Sequence, residues 1–488
     1  MESALNQLDS ERMVVPGNMT TICHSLCTLL GEQKVASLGS PAYNESVASY
    51  FSGQQEALRP ACIVSPQTTE DVSATIRILT SCPDGPGNFA IRSGGHANWA
   101  GASNIAGGVV IDIRALNAVH VHSDKSTVSV GADPIGLSVN DGRAAGVGVG
   151  GLTLGGGISY FSPRYGWTCD AVTSFEIVLA DASVVEVNAN SDQELFQALK
   201  GGNNNFGVVT RIDFATFTQG LIWAGNVYHN PSIVDDVISE LVKISSADAY
   251  DEYASIITTF GYSQALGIAV VSSALEYTKE VKSPPIYQDL LALPNLVFTA
   301  QLVNMRVLAK VTQAYSPNHT RSINRVRTLV LSIAAIKAAY VQWEAGLPSI
   351  RDVSNIVWAL ALEPLPPKIY ARHANENALG LADRSGSLVV ALLTVTWTEA
   401  SDDEAVNDAA KKLMDAIERE AQQLGDLDSF IYLNYADKDQ DPIGSYGAAS
   451  VSRLRAVQER VDPRQEAYVH VVCTYLLGGG LNGIPRMI

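Results

Sequence analysis

Apolar positions along this chain follow two rhythms. In the first 220 residues they form short continuous runs cut by glycine and turn residues. Ala61-Cys-Ile-Val-Ser65 reads as a buried strand, and Pro66-Gln-Thr-Thr-Glu-Asp-Val72 opens a helix. Thr68 or Thr69 caps that helix, acids fill its first turn, and Val72, Ile76 and Ile78 supply its apolar face. Phe89–Arg92, Gly108-Val-Val-Ile-Asp-Ile-Arg114 and Thr127-Val-Ser-Val-Gly131 continue the strand pattern. Phe175-Glu-Ile-Val-Leu-Ala180 and Val184-Val-Glu-Val187 predict a hairpin around Asp181-Ala182. Residues 194–199 read as a short helix, and Val208-Val-Thr-Arg-Ile-Asp-Phe214 as a strand.

The character changes near 218–220. From about 221 to 400 the periods lengthen, predicting helices at 233–244 and 326–343 and strands at 353–362 and 387–398. Residues 402–424 carry a helical period, and residues 430–437 alternate like a strand. This patterning divides the chain into a helical arm (1–55), a strand-rich segment (56–219), a second α+β segment (220–404) and a C-terminal segment (405–488).

Composition narrows the class of protein. A chain of 488 residues that is 47% hydrophobic has enough apolar content for two or three packed cores. The formal net charge of −17 disfavours nucleic acid and anionic membrane as partners. No apolar run approaches the ~20 residues that cross a bilayer. The polar amino terminus does not read as a secretory signal, so compartment stays open between cytoplasm and secretory vesicle. Six cysteines have no metal spacing. Four fall in the first 82 residues, compatible either with one disulfide tying the arm to the first segment or with free thiols. No His, Asp and Glu cluster has metal-ligand spacing.

The candidate chemistry sits in two glycine clusters. Phe89-Ala-Ile-Arg-Ser-Gly-Gly-His96 is a strand ending in a loop whose glycines let backbone N–H groups approach an anion such as a diphosphate. His96 stands just beyond, either as a cofactor-reaching imidazole or as an ordinary loop histidine. Gly146-Val-Gly-Val-Gly-Gly-Leu-Thr-Leu-Gly-Gly-Gly157 follows. Its GxGxxG lacks a preceding strand, and three further glycines oppose a following helix, so a nicotinamide site is rejected.

These pieces recur in order in one family. Arg92-Ser-Gly-Gly-His96, Gly101-Ala-Ser-Asn-Ile-Ala-Gly-Gly108, the run from Gly148 to Ser159, Arg164-Tyr-Gly-Trp-Thr-Cys-Asp170, Gly201-Gly-Asn-Asn-Asn-Phe-Gly207 and Tyr432-Leu-Asn-Tyr435 together resemble the berberine-bridge-enzyme-like FAD-linked oxidases of the vanillyl-alcohol-oxidase superfamily. The fungal secondary-metabolism branch is the nearest likeness. The resemblance covers most of residues 20–465. It implies an α+β fold, with a PCMH-type FAD-binding domain split in sequence and an α+β substrate domain with an antiparallel sheet between its parts, after which the C-terminal segment returns to the first. It implies FAD on Arg92, Ser93, Gly94, Gly95 and His96, on Val147, Gly150, Gly151, Gly155 and Gly156, and on Asn203, Asn205, Phe206 and Asn434. His96 would bond the flavin covalently. The position of a second, cysteine link aligns with Ala144, so one link is expected. Tyr432 and Tyr435 are the expected catalytic phenols, and Glu363 and His373 are candidate acid or base residues in the substrate segment. On a strand, Tyr432 and Asn434 would share one face and Tyr435 would take the other.

The implied activity is hydride transfer from a small secondary metabolite to flavin N5, with O2 as the second substrate and H2O2 as product. A cyclisation triggered by that oxidation fits the same scheme. A non-redox isomerase or cyclase on the same fold, or a binding protein that has lost FAD, are the competing functions. Two departures from the family motivate the non-redox reading, roughly ten residues missing after Ala132 and an acid at Asp141 where glycine is usual; an apolar, glycine-rich tail at 467–488 is a third departure.

Overall fold

The computed structural model describes residues 17–81, 87–123, 125–129 and 137–463. The deletion point at Ala132, the tail at 467–488, Cys82 and Cys473 lie outside them.

The helix expected after residue 66 runs Thr69–Thr80. Thr68 accepts from the Asp71 N–H and the Asp71 carboxylate accepts from the Thr68 N–H, closing both ends of a capping box. Its apolar face packs on a four-stranded sheet ordered Val35–Ser37, Cys62–Val64, Val109–Asp112, Phe89–Arg92. The last three strands are parallel. Parallel strands are buried on both faces, which explains their unbroken apolar runs. A Cys23–Cys62 disulfide ties the helix Gly17–Leu30 to this sheet. Cys27 and Cys169 are free thiols.

A second, antiparallel sheet of five strands follows, ordered His120–Val121, Thr127–Ser129, Val208–Ala215, Val172–Val178, Val184–Asn188. The expected hairpin pairs Ser174 with Asn188 through Val178 with Val184. Ala182 takes a left-handed φ of 66° in its turn.

Residues from Ile222 build a nine-stranded antiparallel sheet. Through its centre run Ile222–His229, Ile268–Tyr277, Ala254–Ser263, Val357–Leu365, Leu388–Trp397 and Arg321–Val330. Helices Val234–Ile244, Ile333–Gly346 and Asp403–Leu424 cover one face, burying Trp343, Trp358 and Trp397. Truncating any of these to alanine costs about 3–5 kcal/mol. Strand alternation turns the intervening residues to the opposite face, towards the two smaller sheets.

Several local expectations need correction. Residues 326–343 are not one helix: the strand Arg321–Val330 ends there, Ser332 accepts from the Ala335 N–H as a cap, and the helix Ile333–Gly346 begins. The β-branched and arginine residues before Ser332 alternate across the sheet rather than following a 3.6 period. The glycine run does carry a helix, Val149–Leu154, kept short by Gly155 at its end. Residues 430–437 form no strand but an extended segment with one 3-10 turn, Leu433–Tyr435. Helix Asp403–Leu424 belongs to the layer on the nine-stranded sheet, so the chain rejoins the first core at Phe430 rather than at 405.

Candidate active site

The two glycine loops meet. A Cβ on Gly94 would lie 2.3 Å from the Gly148 nitrogen, and one on Gly148 would lie 2.2 Å from the Gly94 nitrogen. Only bare backbone allows that contact. A Cβ on Gly150 would reach to 3.0 Å from Ser93 Oγ. His96 closes the junction. Its imidazole stacks on Phe51 with ring centroids 3.9 Å apart and hydrogen-bonds the Gly146 backbone. Burial pushes its pKa down to about 4, so the ring is neutral and its second nitrogen is a potential nucleophile.

Arg92 departs from its expected place. The end of its strand turns the guanidinium inward, fully buried, where it donates to the carbonyls of Ser46 at 2.6 Å and Ser49 at 2.8 Å. It also lies over the Tyr50 ring and 3.8 Å from Asp112. Its side chain braces the loop from behind, with Nε buried and without a hydrogen-bond partner.

The remaining glycine-run positions are backed by the asparagine turn and the C-terminal segment. Gly156 has φ of 103° and Asn203 a left-handed φ of 61°, with the Asn203 N–H donating to the Leu154 carbonyl at 3.0 Å. Asn205 turns back to the Gly202 carbonyl at 2.7 Å. Phe206 is buried in the same cluster as Phe196, Leu199 and Leu454. Asn434 donates to the Leu152 carbonyl at 2.9 Å and the Tyr432 hydroxyl at 3.0 Å. A Cβ on Gly155 would strike its Oδ1 at 2.1 Å. Beyond Gly151 there is open space. Val147 is half-buried within the loop.

Facing these loops is a buried ionisable cluster. Arg143, from the segment leading into the glycine run, donates through Nη2 to both oxygens of Glu363 at 3.0 Å and to the Tyr435 hydroxyl. Tyr435 in turn donates to Glu363 Oε1 at 3.0 Å. The 3-10 turn brings Tyr432 and Tyr435 together, edge to face with centroids 4.7 Å apart, instead of sending them to opposite faces. Tyr432 is 1% exposed and packs against Trp167 in the core. Burial, with Glu363 beside it, raises the Tyr435 pKa, so the group is a neutral phenol. Against the desolvation of its own burial, Arg143 is kept charged by Glu363 and Tyr435.

Two members of this neighbourhood were not singled out from the sequence. One is Arg143. The other is Glu276, 3% exposed, whose pKa burial pushes up to about 8. Each of Glu276 and Glu363 was marked by an acid closing an apolar strand, Ala274-Leu-Glu276 and Ala361-Leu-Glu363. His373 lies elsewhere, in a surface pair with Glu376 at 3.2 Å. Asp141, the departure from glycine, is pushed up to about 7 by burial.

A fold of two small sheets bearing paired glycine loops, beneath an antiparallel sheet presenting buried acids, defines a flavin-binding oxidoreductase architecture. Residues 60–188 match the family model described as FAD binding domain. The chain is 34% identical over 461 residues to the FAD-dependent monooxygenase sdcF of Emericella nidulans, covering 90% of this chain and 95% of that one. It is 48% identical over 470 residues to the oligopeptidase PhomG' of Diaporthe leptostromiformis, covering 95% of this chain but spanning only 37% of that relative. A berberine bridge enzyme variant in complex with (S)-reticuline superposes with a TM-score of 0.73 at 17% identity, covering 91% of this chain and 97% of that chain. The chain belongs to the family of FAD-linked oxidoreductases that includes the fungal FAD-dependent monooxygenase sdcF, and it has the fold of the berberine bridge enzyme.

The residues present fit FAD. The two glycine loops pack backbone to backbone at Gly94 and Gly148, leave open space beyond Gly151, and adjoin a neutral imidazole. Around it Asn140 Oδ1, Thr153 Oγ1, Thr168 Oγ1 and Asn204 Oδ1 are buried without a protein partner, the condition of polar atoms that await a polar ligand. Among the described residues no cluster could hold a metal ion, and no helix is long and apolar enough to cross a membrane.

Proposed function

We propose that this protein oxidises a small hydroxyl- or amine-bearing secondary metabolite, with O2 as the final acceptor. The observation that carries the reading is the Tyr435 hydroxyl, held between Arg143 and Glu363 beside the turn whose Asn434 touches the glycine run. FAD, when bound, supplies the acceptor for the substrate hydride and returns both electrons to O2 as H2O2. Ser93, Gly94, Gly95, Gly148, Gly150 and Asn203 would hold it, and His96 would carry it through the neutral ring nitrogen.

The chain's own residues handle the proton. As the substrate gives up its hydride, its O–H or N–H proton passes to the Tyr435 oxygen, and the phenol proton passes to Glu363. Arg143 is fixed beside both oxygens, so negative charge on either is met without reorganisation. Val147, in the loop beside the cofactor residues, is the position expected to admit O2. Ala144 offers no thiol for a second link, leaving His96 as the single attachment.

The test combines a visible spectrum with a product assay. Flavin absorbance that stays with the acid-precipitated pellet, and leaves it in His96→Ala, establishes the single link. H2O2 formed in step with substrate consumption establishes the oxidase. A colourless protein that takes up no FAD overturns the reading. The names of the fungal relatives favour a second one, oxygen insertion. Heavy-isotope O2 separates the two, since label enters the product only in a monooxygenase.

A further inference from the structure

Glu276 has no part in the proton route just described, yet it is a buried carboxyl on the large sheet with an oxygen left unpaired. On its strand Val271, Leu275 and Tyr277 point into the helix-covered core. Alternation therefore sends Glu276 to the opposite face with Ser272 and Ala274. Glu363 reaches the same face by the same logic, since Leu360 and Leu362 point into the core. The strand Ala254–Ser263 separates the two acids. Glu276 stands opposite Ser255, and Leu362 opposite Thr258, so Glu363 falls level with Ile257.

Two strand spacings put the two backbones roughly 10 Å apart across the sheet. Between them the face is half-buried and small or apolar: Ile257 and Thr259 on the middle strand, Ala274 and Ala361 beside them. Glu276 Oε2 is buried and has no hydrogen-bond partner. The titratable groups that face it are Arg143, Glu363 and Tyr160, while the Tyr287 hydroxyl bonds the Glu276 backbone carbonyl. None of these satisfies the carboxyl. An unpaired buried carboxyl costs stability, and such sites persist where function needs them.

We propose that Glu276 is the far anchor of the substrate site, hydrogen-bonding through Oε2 to a hydroxyl or N–H of a planar substrate whose reacting end lies at Tyr435. The substrate class follows. It is a flat, apolar ring system carrying hydrogen-bonding groups at both ends, and a molecule with one such group leaves the carboxyl unpaired. This rests on Tyr435 marking the reacting end, as proposed above.

The test uses calorimetric titration of the flavin-loaded protein, without turnover, with two probes: para-hydroxybiphenyl and para,para′-dihydroxybiphenyl. The wild type should bind the dihydroxy probe about tenfold more tightly, the worth of one additional hydrogen bond. In Glu276→Leu that ratio should fall to about one, with the monohydroxy affinity kept. Glu276→Gln, which still hydrogen-bonds, should keep most of the preference. Thermal melting is the second readout: Glu276→Leu should melt at or above the wild-type temperature. An unchanged ratio in Glu276→Leu, no preference in the wild type, or a lowered melting temperature would each overturn the assignment. Failure of the oxidase reading looks different, as absence of H2O2 with the Glu276-dependent ratio intact.

Discussion

Tyr435 donates its hydroxyl proton to Glu363 Oε1 across 3.0 Å, joining residues 72 positions apart in sequence. The bond runs from the C-terminal segment to the nine-stranded sheet, so the Tyr435–Glu363 contact exists only when both are assembled.

Replacing Tyr435 with phenylalanine removes the proton-accepting oxygen but leaves the Arg143–Glu363 ion pair. Turnover should fall by about 10²–10⁴-fold, with KM changed far less. Steady-state kinetics at matched flavin content read the split.

Arg143→Met leaves Glu363 buried, 7% exposed in its side chain, without its cation. Breaking a buried pair from one side costs about 3–5 kcal/mol. Urea unfolding should show that loss, and Arg143→Met paired with Glu363→Leu should recover most of it.

Gly148→Ala places a methyl group 2.2 Å from the Gly94 nitrogen, where backbone rather than a pliable side chain stands in the way. The loops must part, so retained flavin should drop well below wild type while far-ultraviolet circular dichroism stays native. Gly220→Ala, which meets nothing within 4 Å and lies outside the glycine loops, is the matched control and should retain flavin.

Stability should fall as pH rises from about 5 to 8. Glu276 holds its proton to about 8 and Asp141 to about 7 when folded, against ordinary carboxyl values in the unfolded chain. Within that window the folded state binds more protons than the unfolded state, so raising pH favours unfolding, and the effect levels off above 8. Glu276→Gln should flatten the upper part of the slope in chemical denaturation series.

The elements that fold on local signals were legible from the sequence. Thr68 with Asp71 announces a helix start, the runs at Cys62 and Val109 announce buried parallel strands, and the glycine clusters announce close backbone approach. What escaped depends on partners far along the chain. Arg143 gains meaning only from Glu363, 220 positions away. Arg92 looked like an anion ligand because an arginine before a glycine loop is ambiguous until Ser46, Ser49 and Tyr50 close over it. Phe206 follows an asparagine turn that touches the glycine run, yet its ring continues inward. The Tyr432–Tyr435 turn reads as a strand because an extended segment and a single 3-10 turn give the same short alternation.

The segment 143–150 places its arginine in the acid cluster and its glycines against the Ser93–His96 loop, within eight residues. Anything that shifts this segment acts on two binding equilibria at once. In a protein whose flavin can dissociate, such as His96→Ala, thermodynamic reciprocity makes the factor by which flavin alters substrate affinity equal the factor by which substrate alters flavin affinity. The apparent affinity for one therefore has meaning only at a stated saturation of the other.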